Sequence, residues 1–264
     1  MASDPALPFD PATGAWRRPA PAVPGGEPTA APDAMRKGPL AIAAHILLVL
    51  DLGLLAFGAW KQIQAALGYL ASGTRPEFRI VPHDELWDGV ATALVLMGLV
   101  PLIWVVATRQ RPLEGTVAYL RLHAPLPSLL RGAGIGLLLV AALIPLGLAL
   151  RYFGLDEANP VADAVLASMT WPLAIAISLS AAVGEEILFR GILQRWVGVW
   201  GQAALFGLSH AGYGSVAQLV LPALLGLLFG FMVRRGQSLW TVIAAHFVFN
   251  FVQLSLPLWA PGAA

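Results

Sequence analysis

The 264-residue sequence has no cysteine, which excludes disulfides, Cys-ligated metals, a Cys nucleophile and a lipid carried on the protein's own thiol. Charge is scarce as well. Asp, Glu, Lys and Arg make up 12% of the residues, about half the share in an average soluble domain. The 16 Lys+Arg nearly cancel the 15 Asp+Glu, and a net charge of +1 offers no field for nucleic acid. Acids are rarest towards the C-terminus, where Glu185 and Glu186 are the only two after Asp163. What replaces charge is apolar surface: 58% of the residues are hydrophobic and the mean hydropathy is +0.72. A compact soluble domain has too little interior to hide that much, so the chain reads as a membrane protein.

Residues 1–38 carry Pro and Ala, as in Pro19-Ala20-Pro21-Ala22, in place of any periodicity or continuous apolar run. No apolar stretch follows a basic start, so this is not a secretory signal, and the segment reads as a disordered cytoplasmic tail. A spanning helix takes about 20 mostly apolar residues. Runs of that kind lie at 40–60, 89–108, 132–150, 164–184, 211–233 and 238–259, with a shorter one of 13 uncharged residues at 197–209. The expected fold is therefore all-α, a polytopic bundle of about seven, or eight, transmembrane helices. The short run is expected to end or bend inside the membrane, against protein or a water-filled cavity. Two N-terminal spans and their loops fill 39–124, and the functional core is expected over 125–259. With the tail inside, twelve of the 16 basic residues fall on the cytoplasmic side, which favours a plasma membrane protein with a cytoplasmic N-terminus.

A carboxylate at membrane depth costs about 2.5–3.5 kcal/mol on insertion scales, so it needs a partner or a purpose. Glu185 and Glu186 directly follow the uncharged run 164–184. Helical neighbours are about 100° apart, so the two are expected not to face one spot. Glu186 and Arg190, four apart, share a face and are expected to form a buried ion pair. That leaves Glu185 without a local cation. The plainer reading, that the two acids mark a water interface, is weakened by His210 at the end of the short run and by His246 and Asn250 within the last one. One Glu, two His and an Asn on three spans point to one cavity. Asp51 is expected to be structural, pairing with an Arg or lining the cavity mouth. It does not share a helical face with His45, and His83 and His123 fall in polar loops.

In chain order these stretches read EEILFR at 185–190, FGLSH at 206–210 and HFVFN at 246–250. They resemble the EExxxR, FxxxH and HxxxN motifs of the CPBP family of intramembrane proteases, which includes the type II CAAX prenyl endopeptidases and the bacterial Abi proteins. The likeness covers about 125–255. It implies an intramembrane endopeptidase acting on a membrane-tethered or hydrophobic peptide, with a prenylated CAAX substrate as the named precedent. Bacteriocin or signal-peptide processing would use the same site.

Peptide hydrolysis needs an activated water, a stabilised oxyanion and a proton for the leaving amine. On this reading Glu185 is the base, His210 holds the same water, and His246 and Asn250 form the oxyanion hole. Glu186 and Arg190 fix the helix that carries Glu185. No obligatory cofactor is favoured. The alternative is a zinc site from Glu185, His210 and His246 with an open fourth position. An HExxH helix is absent, Asp51 has no intramembrane Asp partner, and Ser209 lacks a nucleophile elbow. Two rival classes carry the same residues without proteolysis: a binding or immunity scaffold, and a proton-coupled transporter, which the lack of internal repeats disfavours.

Overall fold

The computed structural model describes residues 9–10, 15–16, 35–73, 79–153, 159–213 and 216–259. It divides into units 1–31 and 32–264. In the first, β1 (Phe9–Asp10) pairs antiparallel with β2 (Ala15–Trp16). Of the rest of the tail, residues 35–38 are described and belong to the second unit, where Met35 bridges Arg109 and the Arg36 amide donates to the Thr108 carbonyl, and the others lie outside the described residues.

The second unit is helical throughout. It runs α1 (Pro39–Ser72), α2 (His83–Ala93), a π-helical segment Leu94–Leu99, α3 (Val100–Thr108), α4 (Pro112–Tyr119) and α5 (Pro125–Tyr152). Then follow α6 (Pro160–Leu166), α7 (Trp171–Glu185), a second π-helical segment Glu186–Leu193, α8 (Gln194–Leu208), a 3₁₀ turn Ala211–Tyr213, α9 (Val216–Arg234) and α10 (Leu239–Trp259). Caps set the starts of α6 and α7. Asn159 Oδ1 accepts from the Ala162 amide at 3.0 Å, and Thr170 Oγ1 accepts from the Leu173 amide at 3.4 Å.

Among the described residues six helical stretches, not seven, are long and apolar enough to cross a membrane: Pro39–Gly68, His83–Thr108, Pro125–Ala149, Trp171–Leu208, Val216–Arg234 and Leu239–Trp259. The protein is an integral, multi-pass helical bundle. The expected fourth and fifth spans merge into the single 38-residue stretch Trp171–Leu208. Gly198 breaks it from within, at φ 72 and ψ 178, a conformation side chains disfavour. The ten residues beyond that break reach about 15 Å, half of a hydrocarbon core of about 30 Å, so they are no separate span.

Burial is uneven, and the unevenness locates the interior. Only 22% of the apolar window in Pro39–Gly68 is buried, against 56% in Trp171–Leu208 and 50% in Leu239–Trp259. On α1 large side chains such as Ile42, Val49, Leu50 and Phe57 are exposed, as lipid contact requires. The core gathers Trp104, Val105, Leu120, Ile192, Phe229, Leu239 and Val242. Without a hydrophobic drive between helices in lipid, close packing takes small residues. A Cβ on Gly136 would lie 2.6 Å from the Ala245 carbonyl oxygen, and one on Gly132 would overlap the Thr241 carbonyl, so α5 presses directly onto the backbone of α10.

Candidate active site

The site begins at the end of α7. A Cβ on Gly184 would come within 3.3 Å of Met97 Cβ and 3.4 Å of the Ala93 oxygen and Gly98 nitrogen. The glycine thus lets the first π-helical segment lie against the chain one residue ahead of Glu185. From Glu186 the helix widens into its own π segment, a departure from α geometry that recurs at functional positions.

Glu186 is fully buried, and its Oε1 receives two partners. Arg190 Nη1 donates to it at 2.8 Å, the predicted i,i+4 ion pair, and His246 Nδ1 from α10 lies at 2.8 Å. Both side chains of the Glu186–Arg190 pair have zero exposure, which demands this degree of pairing. The Arg190 guanidinium lies over the rings of Phe206, 4.3 Å to the centroid, and Phe229, 5.5 Å. Those aromatic faces offset the charge that the single salt bridge leaves.

Glu185 is oriented by the same histidine. Its Oε2 is 3.8 Å from His246 Nε2 and has no hydrogen-bond partner, although the atom is buried. The expectation that adjacent acids cannot face one spot fails here. The π segment changes the rotation per residue, and the imidazole presents a nitrogen on each edge, one to each carboxylate. Glu186 therefore holds His246 directly, in addition to bracing the helix through Arg190. Since an ionised carboxylate only accepts, His246 Nδ1 carries the proton in this contact. The two acids also differ in access: the Glu185 side chain is 17% exposed and that of Glu186 is not exposed at all.

His210 ends α8. Its Nδ1 donates to the Phe206 carbonyl at 2.8 Å, which makes Nε2 the lone-pair nitrogen of the neutral ring. Phe206 meets the rings of both histidines edge-on, His210 at 5.0 Å and His246 at 6.1 Å between centroids. Phe206 is the common neighbour of the two histidine motifs. Asn250 sits half-buried one turn beyond His246 on α10. Ser209 Oγ is 3.2 Å from His210 Nδ1, but it donates to the Phe206 carbonyl at 2.8 Å, and an Nδ1 that is itself donating cannot take its proton. A serine mechanism has no base there.

Among the described residues there is no group of three or more His, Cys, Asp or Glu arranged to hold a metal ion. Asp51 finds neither expected role in full: it is buried in α1, and both carboxyl oxygens lack a hydrogen-bond partner. Three contributors carry no motif letter. Phe229 covers Arg190 and tilts against His246 at 6.0 Å, while Leu52 from α1 and Met97 pack on the cluster of Leu188, Phe189 and Phe206. The signal that could have led to Phe229 is Gly226-xxx-Gly230, a small-residue spacing that brings α9 against Ala203 and Gln202 of α8.

Residues 167–252 match a family model described as Rce1-like, type II CAAX prenyl endopeptidase. Over these residues the chain is similar to that family. The uncharacterized protein YpbD of Bacillus subtilis (strain 168) is 33% identical over 82 residues, 31% of this chain and 43% of that protein. The match therefore spans less than half the length of that relative. No solved structure matches the chain. The Rce1-like segment contains every residue of the two-carboxylate and two-histidine site, together with Phe206, Phe229 and Asn250. Met97 and Leu52, which pack behind it, lie outside.

Proposed function

We propose that this chain is an intramembrane endopeptidase that hydrolyses a peptide bond in a membrane-associated substrate, with the prenylated CAAX class as the leading candidate. The observation that carries the reading is the buried, unbonded Glu185 Oε2 facing the Nε2 edge of a histidine whose other nitrogen is clamped by a fully buried Glu186–Arg190 pair. Glu186 also has one unpartnered oxygen, but its side chain has no exposure, whereas that of Glu185 is 17% exposed and can be reached by a ligand.

Glu185 takes the proton of a water bound at its Oε2, and His210 Nε2 accepts the water's second hydrogen. Around His246 two carboxylates meet one guanidinium, which leaves one negative charge to match. With both ring nitrogens protonated, His246 Nε2 is a donor for the developing oxyanion, and the Asn250 amide is the second donor. Glu186 holds the ring and stabilises its charge, the task a buried acid performs for a catalytic histidine elsewhere. Glu185 then returns its proton to the departing nitrogen, so that atoms and charge balance without a further group. No step runs through a metal, and the activity is expected to survive chelation.

The test compares new protein termini in membranes of cells making the wild type or Glu185→Gln at matched abundance. Termini that require Glu185 establish proteolysis and give the substrate and cleavage position. If no terminus depends on Glu185, and the variant still complements a deletion phenotype, the binding scaffold replaces the protease.

A further inference from the structure

Arg190 also lines a cavity of about 260 Å³, together with Tyr119, Arg121, Gln194, Arg195 and Arg234 among others, with no Asp or Glu in its wall. Arg190 spends its charge on Glu186. The other three do not. Arg121 Nη1 donates to the Val233 carbonyl and Arg195 Nη2 to the Tyr119 carbonyl, both neutral acceptors. Arg234 is exposed. Arg195 also stacks on the Tyr119 ring, 4.1 Å to its centroid, which fixes the guanidinium plane. The ion pairs of the described residues that join Arg or Lys to an acid are Arg79–Glu85, Arg111–Glu114 and Arg190–Glu186, so no carboxylate neutralises this wall.

Three positive charges held around one hollow repel each other. Burial and the charge of Arg195 both hold the Arg121 guanidinium below its ordinary value. An anion removes that conflict, and guanidinium forks suit the oxygens of a phosphate. The cavity lies level with helix ends. Arg234 closes α9, Arg121 precedes α5, and its carbonyl accepts from the Leu239 amide at 3.2 Å and from Ser238 Oγ at 2.9 Å at the start of α10. Two apolar helices begin and one ends around it, and the ends of spanning helices are where headgroups are met.

We propose that this cavity binds a phosphate group, and that the phosphate is the headgroup of an anionic lipid. The site is separate from the peptidase reading: its wall contains neither Glu185 nor either histidine of the motifs, and its test reads binding alone.

The full chain, purified in detergent and delipidated, is titrated with dihexanoyl phosphatidylglycerol, dihexanoyl phosphatidylcholine, inorganic phosphate and an acetylated tripeptide with a free C-terminal carboxylate, with thermal unfolding as the readout. Phosphatidylglycerol is expected to raise Tm saturably and at lower concentration than phosphatidylcholine. Arg121→Gln and Arg195→Gln each weaken the response about tenfold, equal to about 1.4 kcal/mol. Arg234→Glu, which breaks no bond in the folded chain, does the same. Arg235→Glu, adjacent and exposed but outside the wall, leaves the response unchanged. A shift of the same size with inorganic phosphate keeps the phosphate site and assigns it to a soluble source. Equal losses in Arg234→Glu and Arg235→Glu, no shift with any phosphate, or a shift with the peptide carboxylate alone would each overturn the proposal.

Discussion

Arg190 is shared by two regions that handle charge in opposite ways. In one its Nη1 meets Glu186 and, through it, His246, in a dry layer roofed by Phe206 and Phe229. The other is a hollow with three further guanidiniums and no acid. The first arrangement pairs its charges internally, with Glu186 Oε2 and Arg190 Nε and Nη2 left without a hydrogen-bond partner, and the second has no acid to pair with. A buried charge with a matched partner fixes geometry, while a more accessible charge without one is available for recognition.

The comparison can be broken at several points. Glu185→Gln keeps shape but removes the base, and is expected to abolish the termini seen with wild type, at least about a thousandfold in rate, without lowering Tm. Glu186→Gln strikes the matched layer. It leaves Arg190 buried without its ion-pair partner and should lower stability by about 3–5 kcal/mol, measured by thermal or denaturant unfolding in detergent. Adding Arg190→Met to it should recover much of that loss without restoring cleavage, because His246 still lacks its carboxylate. Gly132→Ala drives a methyl into the α10 backbone and should cost about 1–3 kcal/mol. Arg121→Met, on the unmatched side, should change the stability of the ligand-free protein by no more than about 1 kcal/mol, since relief of repulsion offsets one lost hydrogen bond. Gly134→Ala is the smallest change. A Cβ there meets open space, so a gain of about 0.5–1 kcal/mol from helix propensity is expected.

Much of this was legible in the sequence for a simple reason: charge is so rare in the chain that each intramembrane acid or histidine stands out. The Glu186–Arg190 pair followed from i,i+4 spacing alone, and the bundle followed from run lengths. Two readings failed where local backbone geometry departs from an ideal helix. Span counting entered the run of 13 as a separate short helix that ends or bends inside the membrane, whereas it is the tail of a longer stretch broken at Gly198. Helical-wheel arithmetic separated Glu185 from Glu186, but a π segment and a two-edged ring bring both to His246. The arginine cavity was illegible because Arg121, Arg195 and Arg234 are distant in the chain, and as letters they read as loop charges. Gly132-xxx-Gly136 and Gly226-xxx-Gly230 were present as packing signals and mark the two tightest helix contacts described above.

The π segment Glu186–Leu193 makes the site sensitive to insertions and deletions in a way that spelling does not reveal. Its ladder reaches one residue further than that of an α-helix, so it accommodates one residue more than regular winding would. Deleting Ile192 or Leu193 would let the ladder close to the ordinary i→i+4 register. The flanks would keep their relation, because the wider winding absorbs the extra residue, and the loss would fall on the segment itself, where steps of about 100° carry Glu186 away from the face it shares with Glu185. Gln194 would still donate to the Gly230 carbonyl and anchor α8 to α9, while Glu186 and Glu185 no longer met the two edges of His246. Such a chain keeps every letter of its three motifs and loses the constellation they form. Over this stretch the number of residues is as much a part of the site as their identity.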